Sequence, residues 1–205
     1  MRQNILRPRQ WAMSLMALVM LAPVMVPMSG CAPVLIGAAA TTGVVVATDR
    51  RKTGAQLDDT TISTAIAYKV NAQYGDNVRV SVASYNGIVL LTGEVPDQAT
   101  LEGVAQMAAK EERVRAVQNE LSIEALSSLS SRANDSYITS KVKARFIDSD
   151  FSPTHVKVIT ERGIVYLMGI VKKTEGDQAT EIARRTSGVK RVVRIFEYTE
   201  NPENP

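Results

Sequence analysis

Between Tyr137 and Ile147 the sequence gathers an aromatic ring, an aliphatic tip and three cations at helical spacing. If Ile138, Val142 and Phe146 take the buried face of that helix, then at about 100° per residue Tyr137, Ser140, Lys143, Ala144 and Ile147 fall on the far side, with Lys141 and Arg145 on the flank. This is the composition of an interfacial helix: a tyrosine at headgroup depth, an isoleucine deeper, and lysine and arginine on phosphates. No other grouping offers comparable chemistry. One histidine, His155, and one cysteine, Cys31, make a poor metal set and exclude an internal disulfide. Neither a glycine-rich phosphate loop, nor HExxH or CxxC spacing, nor a Gly-x-Ser-x-Gly elbow occurs. The carboxylate pair Asp58/Asp59 sits where a helix is expected to start, and N-capping explains it. The sequence therefore predicts a non-enzyme with no cofactor and no metal.

The elements that must carry this helix occur twice. Residues 82–93 (VASYNGIVLLTG) and 158–169 (VITERGIVYLMG) repeat at an offset of 76, with Gly87/Gly163 and Gly93/Gly169 coincident. Such a period suits a small domain better than a solenoid unit. Each copy reads helix, strand, strand, helix, strand. In the first, Ile62, Ile66 and Val70 mark a helix face, Val78, Val80 and Val82 alternate as a strand, and Asn86-Gly87 signals a hairpin. Asp97 starts a second helix, and Val117, Leu121 and Ile123 belong to the last strand. In the second copy Asp135 is expected to cap the first helix and Asp177 to lead the second. Val156 and Val158 open the first strand, Ile164 to Met168 return, and Val192, Val193 and Ile195 fill the last strand.

The N-terminal residues carry an address. Arg2, Arg7 and Arg9 precede an uncharged apolar run from Trp11 to Val26, and Ser29-Gly30 lead into Cys31. This is a secretory signal layout, and the cysteine placement resembles a bacterial lipobox, with Met28 where leucine is usual. Pro23, Pro27 and the shortness of the run argue against an uncleaved membrane anchor. Expected boundaries are a signal peptide over 1–30, a lipidated tether over 31–56, a first domain over 57–124, a serine-rich linker over 125–133, a second domain over 134–198 and a tail over 199–205. The small apolar stretch 32–48 reads as a tether hugging the membrane or the folded part, or as a second anchor.

These features resemble the BON domain, through the glycine-closed strand ending at Gly169, the helix after it, and the turn Gly188-Val189-Lys190-Arg191-Val192. The first copy has Arg113 where that glycine falls, so its turn is expected to differ. Lipobox, tether and two such domains together look like the dual-BON outer-membrane lipoproteins, the division- and outer-membrane-stress-associated lipid-binding family. The resemblance implies an α+β fold of two tandem BON domains, each an α-β-β-α-β sandwich with a three-stranded mixed sheet packed on two helices. It further implies anchoring in the outer membrane through Cys31, facing the periplasm, and no catalysis. The expected ligand is anionic phospholipid (phosphatidylglycerol or cardiolipin), bound through the first helix of the second domain in support of envelope integrity and cell division. Ala32 after the cysteine, in place of an aspartate, favours outer-membrane delivery under the enterobacterial sorting rule.

Charge separates the two copies. The whole chain has 24 basic and 21 acidic residues, and the surplus lies within residues 1–30. A neutral mature chain does not suit nucleic acid. Residues 57–124 carry five basic and ten acidic groups, whereas 132–205 carry thirteen and ten. The candidate phospholipid-binding residues are thus Tyr137, Ser140, Lys141, Lys143, Ala144, Arg145 and Ile147. Their counterparts Thr61, Thr64, Ala67, Tyr68 and Asn71, flanked by Ala65 and Lys69, offer one cation and no aliphatic tip. Two other readings stay open: Tyr137 and Ile147 buried against the first copy, or the cations as a solvated face. A different function also stays open, that of a periplasmic adaptor for outer-membrane protein assembly or cell-wall machinery at the division site.

Overall fold

The computed structural model describes residues 49, 51 and 53–200. The expected signal peptide, Cys31, most of the tether and the end of the tail lie outside these residues. The first module runs α1 (Thr53–Tyr74), β1 (Arg79–Tyr85), β2 (Ile88–Val95), α2 (Gln98–Ala109) and β3 (Ala116–Ile123). The second runs α3 (Leu129–Ile147), β4 (Val156–Glu161), β5 (Ile164–Val171), α4 (Lys173–Arg184) and β6 (Arg191–Tyr198). In each sheet the middle strand pairs antiparallel with the strand before it and parallel with the strand after α2 or α4.

Alternation along the strands divides each sheet into two faces. Val89, Leu91 and Val95 turn toward α1 and α2 and meet Ile62, Ile66, Val70 and Val104. Val165, Leu167 and Val171 meet Ile138, Val142, Phe146 and Ala179 in the same way. The opposite faces pack on each other: Ala83, Tyr85 and Leu90 from the first sheet close against Tyr166, Met168 and Ile170 from the second. The modules thus join sheet to sheet, and both helical layers point outward. Among the described residues, all three clusters are built from residues 62–196.

One carboxylate per module ties its first helix to its hairpin. Asn86-Gly87 and Arg162-Gly163 are two-residue turns with both residues at positive φ (51° and 74°; 54° and 79°), the geometry whose twist suits a hairpin. The turn N–H groups point away from the ladder and need acceptors. Asp59 accepts from Asn86 N–H at 2.7 Å and Gly87 N–H at 2.9 Å. Asp135, at the 76-residue offset, accepts from Arg162 N–H and Gly163 N–H, both at 2.8 Å. The two carboxylates are buried, so they do not serve as the expected N-caps. The helices start earlier: α1 reaches back to Thr53, and Ser128 caps α3 through Ser131 N–H at 3.2 Å. The linker accordingly shortens to 125–128. Asp177 is also displaced from a helix start. α4 begins at Lys173, whose preceding N–H donates to Glu175 at 2.7 Å, and Asp177 pairs with Lys173 one turn on.

The turn lacking its glycine keeps the same hand: Arg113 has φ 66° where Gly188 has 97°, and Val114 and Val189 donate to the equivalent carbonyls of Glu111 and Thr186. The expected difference is therefore absent, and Arg113 bears the conformational strain that glycine avoids. Gly93 and Gly169 recur for a steric reason, since a Cβ there would collide with the carbonyl oxygen of Arg79 in β1 and of His155 just before β4.

Charges flank the seam between the sheets. The buried Glu94 carboxylate faces Arg79 at 2.8 Å and Arg162 at 3.4 Å, and Arg79 reaches across to Glu161. Burial works to raise the Glu94 pKa, but hydrogen bonds from Arg79 and Ser127 N–H outweigh it and hold the group below the usual carboxylate range. Burial wins at Glu161, which is raised. For Asp59, burial is again outweighed, here by donation from Gly87 N–H, the Ser84 hydroxyl, Arg51 and Asn86 N–H, and the pKa is lowered. A depressed carboxylate stabilises the fold above its unfolded pKa near 4, and that contribution is lost as pH falls through the lower folded value. Asp135→Ala, which strips two buried N–H groups of a charged acceptor, is expected to cost about 2–4 kcal/mol in urea unfolding. Asp59→Asn should be less stable than the native chain at neutral pH, yet lose less stability on acidification below about pH 4. Parallel acid profiles would contradict the clamp.

Candidate functional site

The sheet-to-sheet seam decides what α3 can do. Because Ile138, Val142 and Phe146 are buried against β4 and β5 and the first module sits on the other side of that sheet, the outer face of α3 meets solvent. Tyr137 is 63% exposed and Ile147 71%. Ser140, Lys143, Ala144 and Arg145 are exposed, and Lys141 is half-buried. The seven residues singled out by the sequence share one side of the helix, but their side chains divide into three groups.

Lys141 and Arg145 lean toward the turn after α4. The Lys141 ammonium donates to the Ser187 carbonyl at 2.5 Å and lies 4.5 Å from the centre of the Tyr137 ring, a cation–π arrangement that also fixes the ring. Arg145 donates to the Arg185 carbonyl at 2.9 Å and the Thr186 hydroxyl at 3.3 Å. Lys143 leaves the other side of the helix toward β4. Between these cations runs an uncharged strip of Ser140, Ala144 and Ile147, the Ser140 hydroxyl being satisfied by the Ser136 carbonyl at 3.0 Å.

The early start of α3 adds a residue that the sequence reading assigned to the linker. Leu129, 75% exposed, lies in phase with Ala133, Tyr137, Ser140, Ala144 and Ile147, so the outer face has an apolar residue at each end. The available signal was Ser128, an N-cap residue immediately before an apolar residue in that phase.

The same contact is built differently in the two modules. In the first, Lys69 of α1 pairs with Glu111 in the turn after α2 at 2.6 Å. In the second, Arg145 takes the place of Lys69 and Thr186 takes the place of Glu111. The geometry persists while the acid is gone. None of Lys141, Lys143 and Arg145 makes an ion pair with a described residue. α1 also exposes apolar side chains, Leu57 at 70% and Tyr68 at 74%, but its cation is neutralised. Among the described residues no group of three or more His, Cys, Asp or Glu side chains could hold a metal ion, and no helix is long and apolar enough to cross a membrane.

The sequence model of the BON domain matches residues 58–125 and 134–200. The chain belongs to the BON family. It carries two BON domains, and α3 is the first helix of the second. Outer membrane lipoprotein DolP of Haemophilus influenzae is 38% identical over 176 residues, covering 84% of this chain and 91% of that protein. A 21 kDa hemolysin of Actinobacillus pleuropneumoniae is 34% identical, covering 74% and 80%. Osmotically-inducible protein Y of Escherichia coli is 34% identical, covering 73% and 77%.

The division of the cations is testable by chemistry at the amines. An amine-reactive acetylating ester should modify exposed Lys143 several times faster than Lys141, which is held by a carbonyl and a ring. Equal rates in peptide mapping would contradict that arrangement.

Proposed function

We propose that this BON protein is an outer-membrane lipoprotein, anchored through Cys31 and facing the periplasm, that binds anionic phospholipid through the outer face of α3. The anchoring is supported by the apolar run and small residues before Cys31 and by the relative named as an outer membrane lipoprotein. The observation that carries the lipid reading is the replacement of the Lys69–Glu111 pair by Arg145 facing Thr186. A cation whose acid partner has become a hydroxyl attracts anions from outside the molecule.

Magnitudes explain why an anchor is needed. Each cation near an anionic leaflet gains about 1 kcal/mol, and burying an exposed isoleucine gains about 1.5–3 kcal/mol. Three cations and Ile147 together reach about 5 kcal/mol, which alone corresponds to sub-millimolar binding. Joined to an acyl chain at Cys31, they form the two-signal attachment that holds a peripheral protein on a bilayer.

The unlipidated chain beginning at residue 32 is therefore expected to bind vesicles rich in phosphatidylglycerol or cardiolipin more tightly than phosphatidylcholine vesicles, and added salt should weaken the binding. Equal binding to both would contradict headgroup recognition. Ile147→Glu is expected to lower the affinity about tenfold or more without unfolding the chain. Thr186→Glu, which restores the acid found in the first domain, should lower it about fivefold. If both variants bind as the native chain does, the interface lies elsewhere, and in-cell crosslinking that links α3 mainly to a protein would favour an adaptor.

A further inference from the structure

Beside the outer face of α3 lies a cleft of about 420 Å³ whose lining includes Arg51, Tyr85, Lys143, Phe146, Ile147 and Lys157. Its parts come from five places in the chain: the segment before α1, the end of β1, the last turns of α3, the short turn at Pro153–His155, and β4. The volume lies in the range of small-ligand sites, and a cationic side opposes apolar walls that continue to the exposed tip of Ile147.

Its cations are oriented from outside the cleft. Arg51 is held by Asp49 at 2.6 Å and Asp59 at 2.7 Å and lies 4.2 Å from the centre of the Tyr85 ring. The Lys157 ammonium donates across the seam to the Ser84 carbonyl at 3.1 Å. Asp49 and Asp59 offset Arg51, whereas neither Lys143 nor Lys157 has an ion-pair partner among the described residues. Burial, with Arg51 and Lys143 as positive neighbours, lowers the Lys157 pKa below its ordinary value, outweighing the opposing pull of Asp59. Gathering like charges around a cavity costs free energy that a bound anion relieves. The matching positions in the first domain lack these cations: Ala67 and Ser81 stand for Lys143 and Lys157, and Ser127 matches Arg51.

We propose that this cleft binds the phosphodiester of a single anionic phospholipid, with Lys157 and Lys143 contacting the phosphate, Arg51 behind them, and the acyl chains leaving past Ile147. The proposal rests on the membrane-facing reading of α3 and adds to it a headgroup subsite made partly by the tether and the first domain. An inorganic phosphate would leave most of the cleft and its apolar wall unfilled, which favours the lipid.

The test is an NMR titration of the unlipidated chain beginning at residue 32 with dihexanoyl-phosphatidylglycerol below its micelle concentration, with dihexanoyl-phosphatidylcholine and inorganic phosphate in parallel. Phosphatidylglycerol is expected to shift the amides of Tyr85 and Lys157 and the Ile147 methyls. Lys157→Gln should weaken that titration about fivefold with the methyl spectrum of the fold unchanged, and Lys157→Arg should retain it. No shift at Tyr85 and Lys157, or undiminished affinity in Lys157→Gln, overturns the proposal. Equal shifts from inorganic phosphate, with no gain from the glycerolipid, overturn the lipid assignment. The two readings fail separately. If vesicle binding depends on Ile147 but not on Lys157, only the cleft is lost. If the cleft titrates while the native chain ignores anionic vesicles, only the membrane reading is lost.

Discussion

A buried aspartate on the first helix of each domain, accepting both N–H groups of a hairpin turn, is the interaction on which the rest of the molecule depends. It fixes the rotation of the helix against its sheet. With Asp135 turned inward to Arg162 and Gly163, Ile138, Val142 and Phe146 must follow it to the core, because they lie three, seven and eleven residues on. Tyr137, Ser140, Ala144 and Ile147 are thereby turned out. The clamp costs a desolvated carboxylate in each domain, which is offset only because two or more donors meet it.

The second constraint is where the domains join. Each sheet is covered by helices on one face and by the other sheet on its second face, so neither first helix is used for docking. The apolar centre of the seam supplies adhesion, while Arg79, Glu94, Glu161 and Arg162 at its edge fix the register, since a displaced sheet would leave the buried Glu94 charge unpaired. The outcome is a duplicated scaffold with two outward helices of the same geometry. One has an internally neutralised cation, and the other carries Arg132, Lys141, Lys143 and Arg145, none of them ion-paired with a described residue. Duplication supplied the frame, and a few substitutions along α3 and in the turn after α4 supplied the difference.

Much of this was legible in the sequence. The repeat gave the domain count, the periodicities of Ile62/Ile66/Val70 and Ile138/Val142/Phe146 gave the core faces, and Asn86-Gly87 gave the hairpin. The role of the aspartates is hidden in the sequence because an N-cap and a clamp use the same acceptor chemistry, and sequence does not reveal whether the donor is local or a hairpin 27 residues away. The Arg113 turn was hidden because the conformation persists without its usual residue. The seam leaves a trace in the sequence: residues 165–171, all buried, form the unbroken apolar run of a strand covered on both faces. The cleft was out of reach, because Arg51, Tyr85, Lys143 and Lys157 come together only once two sheets are stacked.

The proposed membrane contact is made by α3, not α1, and its depth can be measured directly. With the unlipidated chain bound to nanodiscs rich in phosphatidylglycerol and doped with an acyl-chain spin label, relaxation enhancement should concentrate at Leu129, Tyr137, Ala144 and Ile147 and spare Leu57 and Tyr68. Equal broadening of both helices, or broadening confined to α1, would contradict it.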